Sequence, residues 1–71
     1  MVFLDGFPAY YLEILTILVP HLRTGCVVVA DNIFTHRPIV EPYRRYVRDE
    51  ANGFCSETLL VKYGMEYSVR I

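Results

Sequence analysis

Two stretches of this 71-residue chain end an apolar run in an acid. In "MVFLDG" the run reaches Asp5 and breaks at Gly6; in "GCVVVADN" it reaches Asp31, followed at once by Asn32. Two carboxylates and an amide oxygen are hard donors. They suit Mg²⁺, which keeps several waters and takes substrate oxygens in its remaining octahedral positions. The competing reading of the Asp31–Asn32 pair is local: an Asx turn or a helix cap, in which the side chains serve their own backbone. The metal reading requires Asp5, Asp31 and Asn32 to meet in space, so the elements around them decide the matter.

Residues 2–4 read as a short strand, broken by Gly6, Phe7 and Pro8, with Pro8 suited to starting a helix. Over residues 9–19 the apolar period is helical. Tyr11, Leu15, Leu18 and Leu22 recur at steps of three and four, and Ile14 and Ile17 widen the stripe. Pro20 has no N–H for the carbonyl of Thr16, so the helix is predicted to end near there, and Gly25 to turn the chain. Residues 26–30 form the next strand. It shows no alternation, which predicts an internal parallel strand covered on both faces. Strand, helix, strand within about thirty residues is a βαβ unit with a right-handed crossover. Neighbouring parallel strands lie about 4.8 Å apart and point the same way. Asp5 and Asp31 are therefore predicted to emerge together at the carboxyl edge, where open α/β sheets bind ligands.

"IFTHRP" reads as a loop, and a second helix is expected over residues 38–50, closed by Gly53. Ile39, Tyr43, Tyr46 and Val47 fall on one side of it. Arg44, Arg45 and Arg48 fall on the other, as a solvated face. Residues 54–61 and 65–71 then read as two strands joined by "KYG" in a tight antiparallel hairpin. The fold class is α/β, in the order β-α-β-α-β-β, as one partial domain over residues 1–71. Successive right-handed crossovers place both helices on one face and leave the other bare. A hydrophobic fraction of 54% is high for so short a chain. With the bare face, it points to part of a larger domain, or to a protomer that buries surface against a partner.

The net charge of −1 argues against nucleic-acid binding, which needs a basic patch. Cys26 and Cys55 lie in strand-like runs with no zinc-ligand spacing, as free thiols in a reducing compartment. No charged leader precedes the first apolar run, and "YYLEILTILVPHL" is too short and too polar at Glu13 and His21 to span a membrane. A cytoplasmic chain is expected.

"VFLDG…YYLEILTILVPHLRTGCVVVADN" resembles the second half of the class I S-adenosylmethionine-dependent O-methyltransferases of the catechol and caffeoyl-CoA type. In that family a strand ends in aspartate, a helix follows, and "LRxGGxVVADN" carries the next strand to an Asp-Asn pair. "TLLVKYGMEYSVRI" resembles its last two strands. The resemblance spans essentially the whole chain but only the last four of the family's seven strands, which implies a partial Rossmann-like sheet. It implies that Asp5, Asp31 and Asn32 match divalent-metal ligands and that Asp5, Gly6 and Phe7 sit where the family meets its cofactor. Glu57 matches a glutamate that touches the acceptor hydroxyl. The implied reaction moves a methyl group from S-adenosylmethionine to a hydroxyl of a small, catechol-like acceptor, with Mg²⁺ holding a vicinal diol.

The chain departs from this pattern in two places. Where metal-dependent members carry a lysine as general base, three residues after the first aspartate, this chain has Pro8, and its one lysine is Lys62. His36 is the candidate substitute near neutral pH, against the alternative of an exposed loop residue. Tyr10 and Tyr11 offer phenols, with Tyr11 also expected in the core, while His21 is expected to be structural. The second departure is larger: the 71 residues contain no glycine-rich loop after a first strand and no ribose-holding acid. The chain alone is therefore expected to be inactive. Two further readings stand beside this one. One is a non-catalytic interaction module that pairs its open sheet edge or bare face with another subunit, a second copy of itself included, and the other is a simple metal-binding domain.

Overall fold

The computed structural model describes residues 1–35 and 37–71. It is a mixed α/β unit with one four-stranded sheet and two helices. The strands are β1 (Val2–Leu4), β2 (Val27–Ala30), β3 (Phe54–Leu59) and β4 (Met65–Arg70); the helices are α1 (Tyr11–Leu18) and α2 (Arg37–Arg48). The sheet order is β1-β2-β4-β3. β1 and β2 are parallel, with Leu4 opposite Ala30, while β4 runs antiparallel to both of its neighbours. Among the described residues, no helix is long and apolar enough to cross a membrane.

Local chemistry sets the element ends. Pro8 opens a single 3-10 turn, Pro8–Tyr10, from which α1 continues. After Leu18 the chain tightens into a second 3-10 turn, Val19–His21, because Pro20 cannot donate to the α-helical ladder. Gly53, at φ 88°, ends the turn after α2 in the left-handed conformation that glycine adopts without strain.

Side-chain parity shows which sheet face is covered. Leu4, Val28 and Ala30 share one face and form a single buried cluster with Tyr11 and Leu15 of α1 and Val40, Tyr43 and Val47 of α2. Both helices therefore lie on that face. Each fully buried side chain of this kind contributes roughly 1.5–3 kcal/mol. The opposite face carries Phe3, Val29, Tyr67, Val69, Cys55 and Leu59 with no helix over them. Val29 is buried there, while its cross-strand neighbours Phe3 and Tyr67 stay 48% and 39% exposed.

Several expectations are corrected. β2 lacks alternation, yet only one of its faces is covered by helices. Ile14 and Ile17 do not widen the buried stripe of α1; both are exposed, because the helix presents only Tyr11 and Leu15 fully to the core. On α2 the buried positions are Val40, Tyr43 and Val47, and Ile39 points out. Arg44 and Arg48 are not a solvated face. They reach across to Glu66 of β4, which is fully buried. The hairpin connection is five residues, Leu60 to Gly64, and not a tight "KYG" turn. Lys62 and Gly64 both take positive φ there.

Candidate functional site

The rim is built by the parallel pair. Beyond the Leu4–Ala30 rung, the N–H of Asp31 donates to the carbonyl oxygen of Leu4 at 3.0 Å, so the two strands finish in step. The next residue on one strand is Asp5 and on the other Asp31 itself. Asp5 is exposed and Asp31 half-buried. One oxygen of Asp31 accepts the N–H of Asn32 at 2.8 Å, which is the local role that competes with metal ligation. Among the described residues the second oxygen accepts no hydrogen bond, which leaves it available to a ligand. Asn32 sits at φ 62°, a left-handed conformation that asparagine tolerates better than most residues.

The loop after Asn32 is anchored rather than free. Ile33 is buried, and its N–H donates to the Gly64 carbonyl at 3.1 Å, while the Phe34 N–H donates to Tyr63 at 2.8 Å. The end of β2 is thus tied to the hairpin connection, which places Lys62 and the exposed Leu60 and Tyr63 at the same edge of the sheet.

Tyr11 lies beneath the rim. Its side chain is 1% exposed, and its hydroxyl is sealed from solvent with no hydrogen-bond partner among the described residues. Burial pushes the phenol above its ordinary range. The Gly6 backbone pulls it partly back, the charges of Asp5 and Asp31 raise it further, and the Asn32 side chain again lowers it. Among the described residues the phenol nonetheless completes no hydrogen bond.

Beside the rim, on the unpaired edge of β1, an open depression of about 420 Å³ runs between the strand and α1. Phe3, Phe7, Tyr10, Ile14 and Leu18 are among its walls, with Asp5 and Gly6 at one end. Phe7 is exposed and stands edge-on to Tyr10, with ring centroids 6.3 Å apart. The residues expected to meet a cofactor thus border one concave surface.

The remaining candidates fall elsewhere. Glu57 is exposed on the uncovered face, opposite Tyr67. Its strand lies two spacings from β2, about 10 Å. It borders a second depression of about 480 Å³ with Arg48, Cys55, Ser56, Tyr67 and Val69. His36 lies outside the described residues. Pro8, in the position of the expected lysine, begins the 3-10 turn and offers no proton acceptor. Among the described residues, no group of three or more His, Cys, Asp or Glu is close enough to hold a metal ion; the rim offers two carboxylates and an amide.

A polar cluster that sequence reasoning missed lies under α2. Glu66 accepts from Arg48 Nε at 3.1 Å and from the hydroxyls of Ser56 and Thr58, and Arg44 Nε stands 3.6 Å away. Ser68, also buried, shares a hydrogen bond with Ser56. The signal was present in the strand alternation: Glu66 and Ser68 share parity with each other and not with Met65, Tyr67 and Val69. In this hairpin the polar side is the buried one.

Compared with protein-family models the chain matches none, and no curated protein matches it significantly.

Proposed function

We propose that this chain is the metal- and acceptor-facing half of an S-adenosylmethionine-dependent O-methyltransferase, its sheet being the C-terminal part of a Rossmann-like methyltransferase sheet. One observation carries the reading: Asp5 and Asp31 close adjacent parallel strands that end in step, with Asn32 immediately after. The chemistry of the donor set fits a divalent cation, because Asp5 is exposed and one Asp31 oxygen is uncommitted. When bound, S-adenosylmethionine supplies an electrophilic methyl group on sulfur, and a divalent cation makes a coordinated hydroxyl easier to deprotonate.

The chain's own residues then have separate tasks. Asp5, Asp31 and Asn32 would hold the divalent cation at the end of the parallel pair, on the side from which the acceptor enters. Gly6 offers backbone without a side chain in the way, and Phe7 presents an aromatic surface beside it. His36 is the candidate to take the acceptor proton, since Pro8 has no basic atom. Glu57, facing away from the helices, contributes to the acceptor side only if the acceptor extends over the uncovered face. For S-adenosylmethionine itself the 71 residues fit incompletely, because they include neither a glycine-rich loop nor a ribose-holding acid. The adenosine and the methionine tail need an upstream half, which would pair with the open edge of β1.

Isothermal titration tests this. S-adenosylmethionine added to the 71-residue chain is expected to give no heat, and added to the chain extended upstream through a glycine-rich loop to give saturable binding. An extended chain that ignores the cofactor overturns the assignment.

A second reading, a non-catalytic interaction module, is favoured by the inverted hairpin. Ser56, Thr58, Glu66 and Ser68 face the helices while Cys55, Leu59, Tyr67 and Val69 face outward. An apolar face of that kind is normally covered by a partner. Sedimentation analysis separates the readings: a folded monomer at all accessible concentrations removes the self-association form of this one.

A further inference from the structure

A buried hydroxyl without a partner costs on the order of 1–3 kcal/mol, so a protein that keeps one has a use for it or has tolerated a defect. Among the described residues two tyrosines carry such hydroxyls, Tyr11 and Tyr43, packed edge to face with ring centroids 5.9 Å apart. Their surroundings differ. Tyr43 faces Ser68 and Glu66 under α2, in the interior of the polar cluster. Tyr11 lies near Asp5, Gly6, Asp31 and Asn32, and with Asp5 and Gly6 it lines the depression beside β1.

We propose that Tyr11 is a positioning residue of the rim: its hydroxyl is a donor held ready for a rim carboxylate, and it turns Asp5 and Asp31 into the geometry that a divalent cation requires. The inference rests on the metal reading of the rim. A phenol is a donor toward carboxylates and cannot replace them as a ligand of the ion. A phenol ordinarily titrates near 10, so the donor is present throughout the physiological range. Asp5 and Asp31 would hold a divalent cation, and the Tyr11 hydroxyl would donate to a carboxylate oxygen left free by the ion. Partners of this kind orient metal ligands elsewhere, and losing one typically costs about 10–100-fold in affinity.

The test compares Tyr11→Phe with Tyr43→Phe, each of which removes one buried hydroxyl and leaves the ring. Mn²⁺ alone is titrated into the unmutated 71-residue chain and both variants, with thermal unfolding recorded in parallel. Neither variant is expected to unfold earlier than the parent, since neither loses a hydrogen bond. Tyr11→Phe is expected to bind Mn²⁺ about 10–100-fold more weakly, and Tyr43→Phe to bind as the parent does. Parent and Tyr11→Phe binding equally well overturns the proposal and leaves the rim as a metal site standing. A parent that does not bind Mn²⁺ overturns the rim reading, and this inference with it. If Tyr11→Phe fails to fold, the unmutated chain still decides: Mg²⁺ must shift the Tyr11 ring resonances in NMR and leave those of Tyr43 in place, and an unmoved Tyr11 contradicts the proposal.

Discussion

The amide of Asp31 and the carbonyl of Leu4 are joined by a 3.0 Å hydrogen bond, one step past the last paired rung of the parallel strands. That bond fixes where β2 stops relative to β1, and so sets Asp31 beside Asp5. Two carboxylates at one rim repel when no cation separates them. Asp31→Asn is therefore expected to leave the melting temperature unchanged or slightly higher without Mg²⁺, and to abolish the rise that Mg²⁺ produces in the parent. A thermal-shift series with and without Mg²⁺ measures both. A rise that survives the substitution places the ion elsewhere.

The largest single stability effect is expected at Glu66. Its removal leaves Arg44 and Arg48, together with Ser56 and Thr58, without their common acceptor. Loss of one partner of a buried pair costs about 3–5 kcal/mol; because both arginines reach solvent in part, about 2–3 kcal/mol is expected for Glu66→Ala. Glu41, which pairs with Arg44 and Arg45 on the surface of α2, should cost under about 1 kcal/mol when replaced by alanine. Urea unfolding of the two variants gives the comparison. Equal effects would mean that the buried cluster adds nothing specific.

Gly64 is the hinge between the hairpin and the β2 loop. It sits at φ 84°, and a Cβ there would stand 2.7 Å from the Phe34 ring. Gly64→Ala combines backbone strain with displacement of that ring, and an overall loss of about 1–3 kcal/mol is expected. Because Ile33 is tied to the Gly64 carbonyl, amide exchange at Ile33 and Phe34 should quicken more than exchange in β3. Unchanged exchange at those two amides would show that the loop does not depend on the hairpin.

Burial raises the phenols of Tyr11 and Tyr43 above the ordinary value of about 10, more strongly at Tyr43. A group whose folded pKa exceeds its unfolded one contributes stability that is complete below the unfolded value. That contribution is lost as pH rises through the folded one. Melting temperature is therefore expected to fall above about pH 10, and to fall less steeply in Tyr43→Phe. Absorbance at alkaline pH should show two of the six tyrosines ionising only as the chain unfolds. Parallel stability curves for the parent and Tyr43→Phe would contradict this.

The sequence made the rim legible because its signals are local and unambiguous. Unbroken apolar runs into Asp5 and Asp31, with a helical period and Pro20 between them, admit few arrangements other than a βαβ unit. Strand order in the hairpin half was not legible, since nothing local says that β4 inserts between β2 and β3. Glu66 was missed for a related reason. Alternation in "MEYSVR" gives two faces, and assigning the apolar one inward is correct only when the apolar face is the covered one. Here α2 brings Arg44 and Arg48 over the polar face, so "YRRYVRDE" reads as surface when two of its arginines serve the interior. Tyr11 was visible as a core residue and as a phenol. Its place beside Asp5 and Gly6, just after the 3-10 turn at Pro8–Tyr10, is not something the helical period alone reveals.

The most direct measurement is paramagnetic broadening of amide resonances as Mn²⁺ is added to the ¹⁵N-labelled chain. The amides of Asp5, Gly6, Asp31 and Asn32 are expected to broaden first and together, ahead of Glu57 on its distant strand, and Asp31→Ala should erase the effect. Broadening centred on Glu57, or divided so that Asp5 and Asp31 respond at different Mn²⁺ concentrations, would contradict a shared cation site at the end of the parallel pair.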